Sequence, residues 1–102
     1  MSRVTNLKTV FLKTMPPDED MEHGVIYVSI PFQLAIHLCA CGTCRQQTVT
    51  PLNLFPEDSR GWNYFVSGEQ PDLLVTLTPS IGNFQMPCKS HYYVTLGQIV
   101  WC

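Results

Sequence analysis

Charge is what this 102-residue chain has least of: only 14% of its residues are Asp, Glu, Lys or Arg. The six basic residues are dispersed, the formal net charge is −2 and the pI is near 5.8. That balance argues against a nucleic-acid backbone binder, which needs a basic face. Long apolar runs are also missing, and none approaches the roughly 20 residues that span a bilayer. Residues 1–8 carry no apolar signal core, so an unsecreted, cytoplasmic protein without a membrane segment is expected. No window of eleven or more residues repeats apolar positions at i, i+3, i+4 and i+7, and there is no internal repeat, so no helix is predicted. What is abundant is apolar side chain, at 45% of residues, the composition of a packed domain. The length leaves room for one core. A single domain over residues 1–102 is therefore expected, with residues 1–23 as a peripheral segment and 24–102 as the core.

Within that core, short β-branched and aromatic runs alternate with proline and glycine. Residues 4–12 read as an edge-like first strand, and residues 15–20, with two prolines and three acids, break it. Strands are predicted over 25–30 and 33–41, with Pro31 between them, and over 46–50, closed by Pro51. Residues 52–61 read as a loop, 62–66 as a strand and 72–78 as another. Residues 79–84 look irregular. Strands 92–95 and 98–102 follow around a tight turn at Leu96-Gly97. The pattern predicts an all-β fold: a small antiparallel sheet, half-barrel or sandwich, stapled by a metal site between two turns.

The metal expectation rests on clustering. His37-Leu38-Cys39-Ala40-Cys41-Gly42-Thr43-Cys44 and Pro87-Cys88-Lys89-Ser90-His91 together hold four of the five cysteines and two of the three histidines. Cys41 to Cys44 is C-x2-C with a glycine in the turn, and Cys88 to His91 is C-x2-H; both are spacings that zinc hooks use. Strand alternation places Leu34, Ile36, Leu38 and Ala40 on one side as core, and His37, Cys39 and Cys41 on the other as a ligand face. Six candidates compete for the four positions of a closed zinc site: Cys41, Cys44, Cys88 and His91 first, then Cys39, with His37 read as a neighbouring donor. Cys102 is solitary. Burial as small hydrophobes is the alternative for the cysteines.

Chemistry at such a site is less legible. Thiolate ligands make metal-bound water less acidic, which favours a structural ion. A deaminase is disfavoured because no glutamate follows His37 at the required spacing. Ser80, Asn83 and Ser90 could line a pocket, although each is an ordinary turn residue. His37 or Glu69 could assist a zinc-bound water if the metal were catalytic.

These motifs resemble a small bacterial family of domains of unknown function, some of whose members are encoded beside ubiquitin-like modifiers and their activating and conjugating enzymes. The matching stretches are Gly24-Val25-Ile26-Tyr27-Val28-Ser29, His37-Leu38-Cys39-Ala40-Cys41-Gly42, Val49-Thr50-Pro51-Leu52, Pro79-Ser80-Ile81-Gly82-Asn83, Pro87-Cys88-Lys89-Ser90-His91-Tyr92 and Gly97-Gln98-Ile99-Val100-Trp101. Relatives read C-x-C-G-C-G, and this chain is one residue longer there, which bears on the place of Cys44. The resemblance implies a zinc-binding protein of a ubiquitin-like conjugation or defence system with a protein partner. Two roles follow as expectations. One is a structural zinc with function through protein contacts, drawing on Trp62, Tyr64, Phe84 and Tyr93. The other is a zinc-dependent peptidase acting on a ubiquitin-like modifier.

Overall fold

Runs of four to nine residues rich in β-branched and aromatic types are too short for helices, and the turn residues between them hold their ends. In the computed structural model, which describes residues 4–42, 46–53, 61–69, 73–82 and 90–101, they form eight strands. These are β1 (Lys8–Phe11), β2 (Val25–Ser29), β3 (Leu34–Leu38), β4 (Gln47–Asn53), β5 (Trp62–Ser67), β6 (Leu74–Gly82), β7 (His91–Thr95) and β8 (Gln98–Trp101). A single 3-10 turn at Asp18–Asp20 is the one helical element among the described residues. No helix there is long and apolar enough to cross a membrane. The all-β class is as expected.

Strand order in the sheet follows chain order from β1 to β8. The sheet is mixed, because β1 and β2 run parallel, as do β4 and β5, while every other neighbouring pair is antiparallel. The sheet also curls. Leu7 donates its N–H to the Gly97 carbonyl at 2.7 Å, and Ile99 donates to the Thr5 carbonyl at 2.8 Å. With Asn6 opposite Gln98, this is an isolated bridge and not a ladder, so the curl stops short of a barrel.

Curling creates two cores. The main one fills the inside of the curl with Ile26, Val28, Leu77, Ile81, Tyr92 and Val94 among others. A smaller one lies on the other side of β2 and β3, where Tyr27, Ile36 and Leu38 meet Met21. Residues 4–23, expected as a peripheral segment, thus contribute Leu7 to the main core and Met21 to the second. The segment between β1 and β2 is held by side chains of β2. Ser29 Oγ donates to the Lys13 carbonyl at 2.9 Å, and the Tyr27 hydroxyl accepts from the Glu22 N–H at 3.1 Å.

Two prolines sit inside strands where the sequence pattern predicts stops. Pro51 pairs with Leu34 across β3, but β5 joins β4 only from Leu52 onward. At Pro51 one side of β4 is still an edge, so a missing N–H costs no ladder bond. Pro79 lies in β6 within a register shift described below.

The parallel step from β4 to β5 is closed by a clasp. Asn53 Nδ2 donates to the Gly61 carbonyl at 2.9 Å while its Oδ1 accepts the Gly61 N–H at 2.8 Å. A Cβ on Gly61 would lie 2.2 Å from the Pro51 carbonyl oxygen, a backbone atom that cannot move aside. Gly61→Ala is expected to destabilise the fold by at least about 1–3 kcal/mol, read as a lower denaturation midpoint with unchanged slope.

Candidate functional site: a serine–histidine pair on a strand bulge

The β6–β7 ladder slips. Leu77 faces Val94, yet Ile81 faces Tyr92 and Gly82 faces His91, so β6 spends four residues where β7 spends two. The extra length falls on Thr78, Pro79 and Ser80. Proline removes a donor from the ladder there, and the excess residues bulge and re-aim their side chains. Outside the bulge, alternation holds: Ile81 and Tyr92 both turn into the main core. Ser80 and His91, one residue away on each strand, therefore share the outer face.

There they meet. Ser80 Oγ lies 2.8 Å from His91 Nε2, and both residues are half-buried. The indole N–H of Trp62 donates to the Ser80 carbonyl at 3.4 Å, tying the bulge to β5. A serine hydroxyl within hydrogen-bond reach of an imidazole nitrogen is the minimal activated nucleophile: the imidazole accepts the proton as oxygen attacks. Pattern reading placed His91 among metal ligands and Ser80 in an irregular turn. Nothing in the eleven-residue spacing pairs them, because their meeting depends on the register slip.

His37, Cys39 and Ser90 are buried away from that face. Strand alternation does put His37 and Cys39 together, but on the main-core side of β3, while Ile36 and Leu38 face the smaller core. Both faces of β3 are buried, so the expected contrast of a core face with a ligand face is replaced by two packed faces. His37 is fully buried, and its Nε2 lies 2.7 Å from the Tyr92 hydroxyl. Cys39 Sγ lies 2.9 Å from Ser90 Oγ, also buried. Cys41 is half-buried on the turn after β3, where Gly42 has φ of +80° and donates to the Cys39 carbonyl at 3.2 Å.

Cys44, Asn83, Phe84, Cys88 and Cys102 lie outside the described residues. Among the described residues no three His, Cys, Asp or Glu side chains gather as metal ligands. Three of the four described candidates, His37, Cys39 and His91, meet hydroxyl groups instead. Glu69 follows β5 at the turn into β6, the opposite end of that hairpin from Ser80. Neither it nor the buried His37 is placed to serve a water beside His91.

An all-β domain with a serine–histidine pair on a bulged strand is the class that this geometry defines. Residues 11–102 match the family of bacterial ubiquitination-like system serine proteases (BubE), and the chain belongs to that family. No curated protein and no solved structure matches it. The chain is therefore a domain of a bacterial ubiquitin-like system, as the resemblance implied.

Burial strips water from the His37 imidazole and pushes its pKa from 6.5 down to about 4. The folded protein keeps this ring neutral. Between pH 6.5 and about 4 the unfolded chain binds a proton there that the folded chain refuses. Stability is whole above pH 6.5 and falls as the pH drops, by about 3 kcal/mol when pH 4 is reached. Comparing urea midpoints at pH 7.5 and 4.5, His37→Gln should show a clearly smaller acid loss than the wild type.

Proposed function

We propose that the protein is a serine peptidase that cuts a ubiquitin-like protein of its own bacterial system, with Ser80 as nucleophile and His91 as general base. The observation that carries this is the 2.8 Å approach of Ser80 Oγ to His91 Nε2. The family's description as serine proteases points the same way.

The chemistry follows from the pair. Ser80 Oγ attacks the carbonyl carbon of the scissile bond as its proton passes to His91 Nε2. The tetrahedral intermediate collapses when His91 returns that proton to the leaving amine, and the acyl group stays on Ser80. Water then attacks the ester while His91 takes its proton, and His91 returns that proton to Ser80 Oγ as the carboxylic acid leaves. The bulge serves this by projecting Ser80 out of the sheet at the point where His91 stands. Next to the pair on the same face, Tyr93 is opposite Val100, and both are nearly half exposed. That gives a protein substrate an apolar flank to lie against.

Zinc belongs to this proposal as a staple of the fold. The thiols of Cys41, Cys44 and Cys88 would supply three of its four ligands. In this reading the hydrolytic chemistry belongs to Ser80 and not to a metal-bound water, and protein contacts supply substrate choice.

Ser80→Ala should lower the rate of cleavage of a ubiquitin-like fusion by at least about 10³-fold with an unchanged melting temperature. A fluorophosphonate probe should label the wild type and not the variant. If Ser80→Ala cleaves like wild type while a chelator stops the reaction in folded protein, the metallopeptidase alternative holds instead. Metal analysis of purified protein should return about one zinc per chain, and Cys88→Ala should lower the melting temperature. Metal-free protein of wild-type stability would remove zinc from the proposal.

A further inference from the structure

His91 sits on β7 between two residues that point the other way. Ser90 and Tyr92 both turn inward, and both end on polar atoms at the end of β3. Ser90 Oγ lies 2.9 Å from Cys39 Sγ, and the Tyr92 hydroxyl lies 2.7 Å from His37 Nε2. The two partners are themselves two residues apart, His37 on β3 and Cys39 just past its end. The contacts thus form two rungs, one on each side of His91, between strands that are not neighbours in the sheet. All four residues are buried.

Two facts make this more than packing. First, the ladder that should fix Ser80 against His91 is broken, since the β6–β7 register shifts between Leu77 and Ile81. Among the described residues, Ile81 to Tyr92 and Gly82 to His91 are the pairs beyond the slip. A hold on β7 from across the core would add to these pairs and to the β7–β8 ladder in setting how the serine meets the histidine. Second, His37 is an expensive way to fill a core. Its Nδ1 is buried without a hydrogen-bond partner among the described residues, and an apolar side chain of similar volume would avoid that loss. What an apolar contact lacks is direction: it tolerates roll and small slides that a hydrogen bond does not.

Resting on the serine-peptidase assignment above, we propose that His37 and Cys39 are positioning residues. Through Tyr92 and Ser90 they fix the height and roll of β7, so that His91 Nε2 meets Ser80 Oγ. The motif that reads as a ligand array in the sequence acts on the catalytic histidine from the opposite side of its strand.

The experiment compares wild type, Tyr92→Phe, His37→Met and the double variant by melting temperature, by kcat and KM on a ubiquitin-like fusion, and by the ring 15N resonances of His91 with and without Ser80→Ala. Each single variant removes one side of the His37–Tyr92 hydrogen bond and should melt earlier. The double variant restores an apolar contact and should melt near wild type, yet its kcat should stay about 10–100-fold down with KM unchanged. His37→Gln, which keeps a polar atom for the Tyr92 hydroxyl, should recover more turnover than His37→Met. In the wild type, Ser80→Ala should shift the His91 Nε2 resonance, and in the double-variant background that shift should shrink. If the double variant turns over like wild type and keeps the full shift, the rungs are only packing and the proposal is overturned. If the wild type cleaves no fusion but the shift is present and shrinks in the double variant, positioning stands and the peptidase assignment falls. Absence of any Ser80-dependent shift in the wild type overturns both.

Discussion

The slip in the β6–β7 ladder is the constraint on which the rest of this structure depends. Two strands in register would alternate faces without interruption and would leave every outward pair equivalent. Two extra residues on one strand break that equivalence at a single place. Pro79 makes the break inexpensive, since a residue without an N–H forfeits nothing in a bulge. Trp62 steadies it from β5 through the Ser80 carbonyl. The catalytic proposal needs this local disorder of register inside a global order of strands.

The second half of the sheet, β5 to β8, carries the proposed serine–histidine pair, and the first half, β1 to β4, packs behind it. Curling brings β3 across the main core to β7, strands separated by three others in the sheet. Apolar residues such as Ile26, Leu77 and Val94 give this contact its bulk. His37 and Cys39 give it direction. A fully buried imidazole in an otherwise apolar core is tolerated only while it remains neutral, so the same residue that lends precision also makes the fold sensitive to acid.

Much of the fold was legible in residue type. The runs at 25–30, 62–66 and 98–102 became strands within a residue or two, and Leu96-Gly97 formed the tight turn, with φ of 48° and 74°. Proline misled at 51 and 79, because the penalty for a missing donor vanishes wherever a strand is locally unpaired or bulged. Alternation correctly grouped His37 with Cys39, but period two says which residues share a face and not what covers it. With both faces of β3 buried, a core pair and a ligand pair look alike in sequence. Ser80 and His91 were each visible as residues of interest. Their partnership was not, since it follows from a register that only tertiary packing determines. The Cys41, Cys44 and Cys88 constellation remains a reading of spacing.

Because strand order copies chain order, nearly every pairing joins segments close in sequence, and the sheet can assemble hairpin by hairpin. Ser80 and His91 belong to one such hairpin and can be near each other early. The contacts from His37 to Tyr92 and from Cys39 to Ser90 bridge 55 and 51 residues, and closing loops of that size carries a larger entropic cost. They form only when the two halves of the sheet close on each other. A nascent or partly folded chain would thus hold its nucleophile and base on one hairpin without the backing that aligns them. If Ser80 and His91 act as proposed, competence for cleavage would arrive with the last step of folding, which would keep an incomplete enzyme from acting on its neighbours.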